Sequence, residues 1–338
     1  MAILKTDTIS GIGTEGSVFE GDIEFTSQQF LTLPKGNTEE RGRGTRGIFF
    51  RAQPIDFINI QSKSNASDFG DMTASQHANA SFSSSTRGIA GGGNVAPAPN
   101  INTIMFVTIA TTGDASDFGD LTLGRRNLSG LSNETRGLFM GGGNLSTPHS
   151  NIIDFVTIAT TGDATDFGDL LTPTSSDATT FASPTRGIHA GGEGPSPLNN
   201  GMNVISFVTI ASAGNATDFG DMSSVHSRGF PGASSSIRGI VYNGKRNPSG
   251  YTNNIDFITI ATTGNSQDFG DSTVARTQGG ATSNSQRGVF AGGYIPGTNT
   301  DEISFVNIQA QGNSIDFGNL TATDREFGAC SDGHGGLN

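Results

Sequence analysis

Six arginines, each followed by glycine, recur along the chain at Arg46, Arg87, Arg136, Arg186, Arg238 and Arg287. The tetrapeptide Asp-Phe-Gly-Asp begins at Asp68, Asp117, Asp166, Asp218 and Asp268, and returns as Asp-Phe-Gly-Asn at Asp316. Guanidinium and carboxylate groups at such intervals could pair with each other, or the carboxylates could gather around a hard cation. Recurrence favours a structural use, because a catalyst does not need six copies of its site. The six arginines and the eleven aspartates of these blocks are therefore expected to form a repeated network of ion pairs and turn bonds.

More specific chemistries fit poorly. The stretch Thr112-Gly-Asp-Ala-Ser-Asp-Phe-Gly-Asp is rich in carboxylates but lacks the Asp-x-Asp-x-Asp-Gly order of calcium loops. Asn215 and Asn265 also stand where Asp114 does. Sialidase Asp-boxes read Ser-x-Asp-x-Gly-x-Thr-Trp, whereas Ser67 lies directly beside Asp68 and the chain has no tryptophan. Of the three tyrosines, Tyr242, Tyr251 and Tyr294, none has the setting of a glycosidase nucleophile. A copper oxidase would need paired histidines, but His77, His149, His189, His226 and His334 are scattered, and the single cysteine, Cys330, reads as a small core residue. No nucleophile elbow, phosphate loop or zinc spacing is present, so no metal, cofactor or catalytic residue is assigned.

Bulk properties narrow the class. The 338 residues include 49 glycines and 23 phenylalanines, and only 33% are hydrophobic, a mixture suited to many short strands and frequent turns. The net charge of −12 disfavours nucleic acid and anionic membranes as partners. One cysteine allows no intrachain disulfide. Residues 1–8 carry no apolar leader, and no window of about 18 apolar residues predicts a membrane span.

The elements that must carry the repeated residues follow from the period. The Asp-Phe-Gly-Asp blocks are spaced by 49, 49, 52, 50 and 48 residues. Before each lies a six-residue apolar run, such as Ile55–Ile60 or Ile153–Ile158, with phenylalanine in third place. Arg136-Gly-Leu-Phe-Met, Ile153–Ile158 and the block at Asp166 read as three strands. Thr160-Thr-Gly-Asp is a hairpin between the last two, and a fourth strand lies near Thr179 to Ala182. Four strands in about 50 residues is the period of a kelch-type propeller blade. The nearly continuous apolar character of the central strand fits a sheet covered on both faces.

Strands ending in Gly-Gly (Gly141-Gly142, Gly191-Gly192, Gly292-Gly293), a variable loop, an aromatic-centred strand and a hairpin resemble kelch repeats. Phe69, Phe118, Phe167, Phe219, Phe269 and Phe317 take the place of the usual kelch tryptophan. The expected fold is all-β: a six-bladed β-propeller over residues 46–338. The segment from Asp324 to Gly336 is expected to supply the innermost strand of the first blade and close the ring. Residues 1–45 read as an extended arm for attachment, with Val18, Ile23, Phe25, Phe30 and Leu33 needing a surface to cover them.

The loops after the Gly-Gly strands, residues 94–102, 144–151, 193–203, 243–254 and 294–301, vary freely and share one face with the connections between blades. Arg125, Arg126, His149, Lys245, Arg246, Tyr251 and Tyr294 fall on that face, where binding by a rigid ring is expected. The opening Leu4-Lys-Thr-Asp-Thr-Ile-Ser-Gly-Ile-Gly, the repeat wording Thr-Arg-Gly…Ile-Asp-Phe-Val-Thr-Ile-Ala-Thr-Thr-Gly…Asp-Phe-Gly-Asp and the ending Ala329-Cys-Ser-Asp-Gly-His-Gly-Gly resemble virion structural proteins of tailed bacteriophages, of the marine cyanophage type. That resemblance implies a non-enzymatic tail, fibre or capsid-surface component. Its location would be the virion, assembled in the host cytoplasm. Its partners would be other virion proteins and a host-surface glycan or protein. The alternative is a glycan-binding or glycan-cleaving receptor protein.

Overall fold

The computed structural model describes residues 44–95, 100–175, 178–197, 201–228, 232–242, 244–246 and 250–337. The arm residues Val18, Ile23, Phe25, Phe30 and Leu33 lie outside these described residues. Six antiparallel sheets form the blades of a β-propeller, as the period predicts.

Blade 2 sets the pattern. Its inner strand is Ala80–Ser83, its second Arg87–Gly91, its third Thr103–Thr108 and its outer Ser116–Asp120, hydrogen-bonded in that order. The inner strands of blades 3 to 6 are Ser129–Ser132, Thr179–Ala182, Gly232–Ser234 and Gly280–Ser283. That of blade 1 is the C-terminal Gly328–Ser331, which pairs antiparallel with Arg46–Phe50. Ring closure by the C-terminal strand therefore forms as expected.

The core is a ring of layers between blades. Ile89, Ile104 and Phe118 of blade 2 pack with Phe139, Val156 and Ile158 of blade 3. Val289, Ile303 and Phe317 of blade 6 pack with Phe49, Ile58 and Ile60 of blade 1, which completes the circle. Each central strand thus buries both its faces, the requirement that its apolar run reflects.

The repeated motif residues make the joints between blades. In every blade the Arg-Gly arginine lies over the phenylalanine of its own third strand, with centroid distances from 4.4 Å (Arg186, Phe207) to 4.8 Å (Arg46, Phe57). That ring meets the motif phenylalanine of the outer strand edge-on, as Phe57 meets Phe69 at 6.0 Å. The guanidinium then donates to a carbonyl of the following blade: Arg46 to Ile109 at 2.7 Å, Arg87 to Ile158 at 3.1 Å, and so on to Arg287, which reaches Ile60 at 2.9 Å across the closure. Cation and ring attract by roughly 0.5–2 kcal/mol depending on burial.

The expected arginine–aspartate pairs do not form. The arginines begin the second strand and extend toward the next blade. Asp68, Asp117, Asp166, Asp218, Asp268 and Asp316 instead stand exposed on outer strands. Charges there keep sheet edges from pairing with other chains. Turn bonds do form, with other partners. The amide of Asp71 donates to Asp114 Oδ1 at 3.0 Å in the next blade's hairpin, and all six blades repeat the contact, ending with Asn319 on Asn65 at 3.1 Å. The motif glycine permits this approach: a Cβ on Gly70 would lie 2.4 Å from the Gly113 carbonyl oxygen.

Candidate functional site

Two faces result. The hairpin face carries the arginine stacks and the Gly-Asp turns. The loop face carries the variable loops and the connections between blades.

The inner strands enclose a narrow axial channel lined by small side chains, including Ser81, Thr180, Ala281 and Ala329. Serine hydroxyls bind these strands together near the hairpin face. Ser83 Oγ donates to the Ser331 carbonyl at 2.6 Å, Ser132 to Ser83 at 2.7 Å, Ser234 to Ala182 at 3.0 Å, Ser283 to Ser234 at 2.9 Å and Ser331 to Ser283 at 2.5 Å. Blade 4 has Ala182 in this place, so the joint to Ser132 has no hydroxyl. Gly336 of the C-terminal tail sits there instead, so close that a Cβ would lie 1.9 Å from the Ser132 carbonyl oxygen. His334 Nε2 meets the Ser83 carbonyl at 2.9 Å and the Ser132 hydroxyl at 3.2 Å, and burial pushes its pKa down. The tail thereby covers the channel at the hairpin face.

At the loop face the channel mouth is lined by Asn79, Ser129, Gln278 and Glu326. Glu326 is the one carboxylate among the described lining residues. Ala78, Asn127, Gln278 and Glu326 take left-handed backbone angles, with φ of 58°, 54°, 60° and 59°. Their amides chain around the mouth: Glu326 N–H to Gln278 O and Ala78 N–H to Glu326 O at 2.7 Å, then Asn127 N–H to Ala78 O at 3.0 Å. The Gln278 side chain donates to Glu326 Oε1 at 2.5 Å.

The candidate binding residues separate. Tyr251 and Tyr294 come together, with centroids 6.1 Å apart and planes tilted by 44°. Tyr294 belongs to a small ribbon, Tyr294–Ile295 with Thr298–Asn299, and Tyr251 to another, Lys245–Arg246 with Gly250–Tyr251. The second ribbon extends the sheet of blade 4 through its long outer strand, Thr217–Arg228, and places Lys245 directly opposite Tyr251. Arg246 shares the ribbon by backbone pairing with Gly250. Arg126 is exposed beside blade 3, away from the tyrosines, and His149 is half-buried in the blade 3 loop.

Arg125 is not a surface residue. It is fully buried and paired with Asp154 at 2.6 Å, while Thr122 donates to the same carboxylate. Burial pushes Arg125 down and Asp154 up, and their attraction opposes both shifts. A residue missing from the sequence reading completes the cluster: the Arg325 guanidinium lies 5.0 Å from the Tyr294 ring centroid. It stands six residues before Ser331, as Arg126 stands six before Ser132, so aligning the tail with the blade connections places it on this face.

Fold and site together define a six-bladed β-propeller with a polar, aromatic loop face. No protein-family model matches the chain, and no curated protein matches it. Among the described residues no group of three or more His, Cys, Asp or Glu is placed to hold a metal, and no helix is long and apolar enough to cross a membrane.

Proposed function

We propose that this chain is a non-enzymatic structural protein of a tailed-bacteriophage virion, a tail, fibre or capsid-surface component whose propeller presents an interaction face. One observation carries the reading. The repeated arginines and phenylalanines are used up in blade joints, while side chains that do not repeat, Tyr251, Tyr294 and Arg325, come together on the loop face with Lys245 paired across from Tyr251. A rigid frame with individual loops is the usual arrangement of a binding module. Attachment to the particle through residues 1–43 is part of the same reading. Gly44 enters the ring next to the C-terminal tail, its carbonyl accepting from Asn284 Nδ2 at 2.9 Å on the hairpin face.

A variant lacking residues 1–43 is expected to melt cooperatively as a folded ring and to be missing from purified particles. Incorporation at normal copy number overturns the attachment role. Reproducible turnover on a glycan panel, abolished by Glu326→Gln, overturns the non-enzymatic reading in favour of a glycan-cleaving protein.

A further inference from the structure

We propose that the loop face over blades 5, 6 and 1 binds an anionic carbohydrate through Tyr251, Tyr294, Lys245 and Arg325, an inference that rests on reading the loop face as the interaction face. The cations of this acidic protein are distributed unevenly. Exposed aspartates such as Asp68, Asp71, Asp117 and Asp120 line the outer rim. The Arg-Gly arginines are bonded on the hairpin face, and Arg51, Arg125 and Arg276 are buried. On the loop face Arg325 stacks on Tyr294 and Lys245 pairs across from Tyr251, while of the neighbouring carboxylates Glu302 accepts from Thr273 and Glu326 from Gln278.

The tyrosines narrow the chemistry. Two of the three in the chain lie here, both half-buried and tilted toward one another, and a tyrosine joins an apolar ring to a polar tip. Such a surface suits the apolar face of a sugar ring flanked by hydroxyls. Arg325 is stacked on Tyr294, which holds the guanidinium fork in place before a ligand arrives. Its nearest carboxylate, Glu326, lies 4.0 Å away and already accepts from Gln278, so the fork is not committed to it. A carboxylate or phosphate on the sugar would take two of its N–H groups. Lys245, paired across the ribbon from Tyr251, adds a second positive charge beside the aromatic pair. An acidic protein partner is less suited, because the most exposed apolar side chain, Leu145 at 88%, is on the blade 3 loop across the ring, and Val225 beside the Lys245 ribbon is only 38% exposed.

Titration of the full chain with oligogalacturonate, sialyllactose, a phosphorylated mannan, neutral dextran and polyglutamate tests this. Saturable binding is expected to at least one of the three acidic glycans, weakened by salt and absent with dextran. Tyr294→Ala and Arg325→Gln are each expected to weaken it about tenfold or more at unchanged melting temperature. Lys63→Gln, which removes one charge from the hairpin face, should leave it unchanged. Which glycan binds assigns the anion as carboxylate or phosphate. No binding to any acidic glycan overturns the proposal, as does polyglutamate binding of equal strength or glycan binding indifferent to Tyr294→Ala. Particle incorporation of the Arg325→Gln protein is read separately: failure here with normal incorporation removes the glycan and leaves the virion role standing.

Discussion

Asp332 Oδ1 accepts the backbone N–H of Arg46 at 2.9 Å across a sequence separation of 286 residues. The same bond closes the covalent turn of other blades, from Arg87 to Ser84 Oγ at 3.1 Å and from Arg287 to Asn284 Oδ1 at 2.7 Å. The Asp332 amide also donates to the Arg46 carbonyl, as Ser84 does to Arg87. The closure is therefore a turn like the others, held without a peptide bond.

Cys330 reports on that closure. It is buried on the closing strand, and burial pushes its thiol up to about 12. Asp332→Ala removes the cap and should cost about 1 kcal/mol of local stability, raising the labelling rate of Cys330 by a thiol reagent several-fold. Asp332→Ser, which copies Ser84, should restore slow labelling. Equal rates in all three proteins would show that the cap does not hold the seam.

Ala182→Ser should supply the missing hydroxyl between blades 3 and 4. A bond to the Ser132 carbonyl is worth about 1 kcal/mol, a rise of a few degrees in melting temperature. A fall instead would mean that Gly336, packed on that same oxygen, needs the space.

His189 is buried with its Nε2 unpartnered, and burial pushes its pKa down to about 4. The unfolded chain takes up a proton near pH 6.5, whereas the folded protein does so only near 4. Stability is therefore fully present above the higher value and is lost as pH falls through the window, by about 3 kcal/mol in all. Phe139 and Phe290 fill the equivalent second-strand place in blades 3 and 6. His189→Phe should flatten the pH dependence of chemical denaturation between 6.5 and 4; an unaltered slope would assign the acid sensitivity elsewhere.

Arg125→Met should cost about 3–5 kcal/mol, because it strands the Asp154 carboxylate in the core. Adding Asp154→Leu should recover most of the loss. If the double variant is no more stable than the single one, the guanidinium serves by packing and not by charge.

The blades were legible because three markers recur in fixed order, and the closing strand because the first Arg-Gly lacks a strand before it. The partners were not. Motif spacing gives distances along the chain, whereas Arg46 bonds Ile109, in the next blade. Arg125 looked like surface charge beside Arg126, because nothing nearby in sequence announces its carboxylate 29 residues on. Tyr251 and Tyr294 could be placed on a common face, but their meeting depends on two short ribbons that the repeat does not encode.

Every joint repeats the arginine-to-carbonyl bond, and the serine bond of the inner strands is missing only between blades 3 and 4, so the leading edge of one blade closely matches that of another. Head-to-tail contacts of this sort generate a ring wherever the rotation closes. Duplicating or deleting one unit of about 50 residues in the gene would leave matching ends. Blade number is then decided by the angle at which inner strands still touch. Glycine at positions such as Gly130, where a Cβ would lie 2.7 Å from the Ser81 carbonyl oxygen, keeps that angle wide and the axis narrow. Larger residues along the axis would push the strands apart and make room for another copy. The small bulk of a few axial side chains is thus one condition for a count of six.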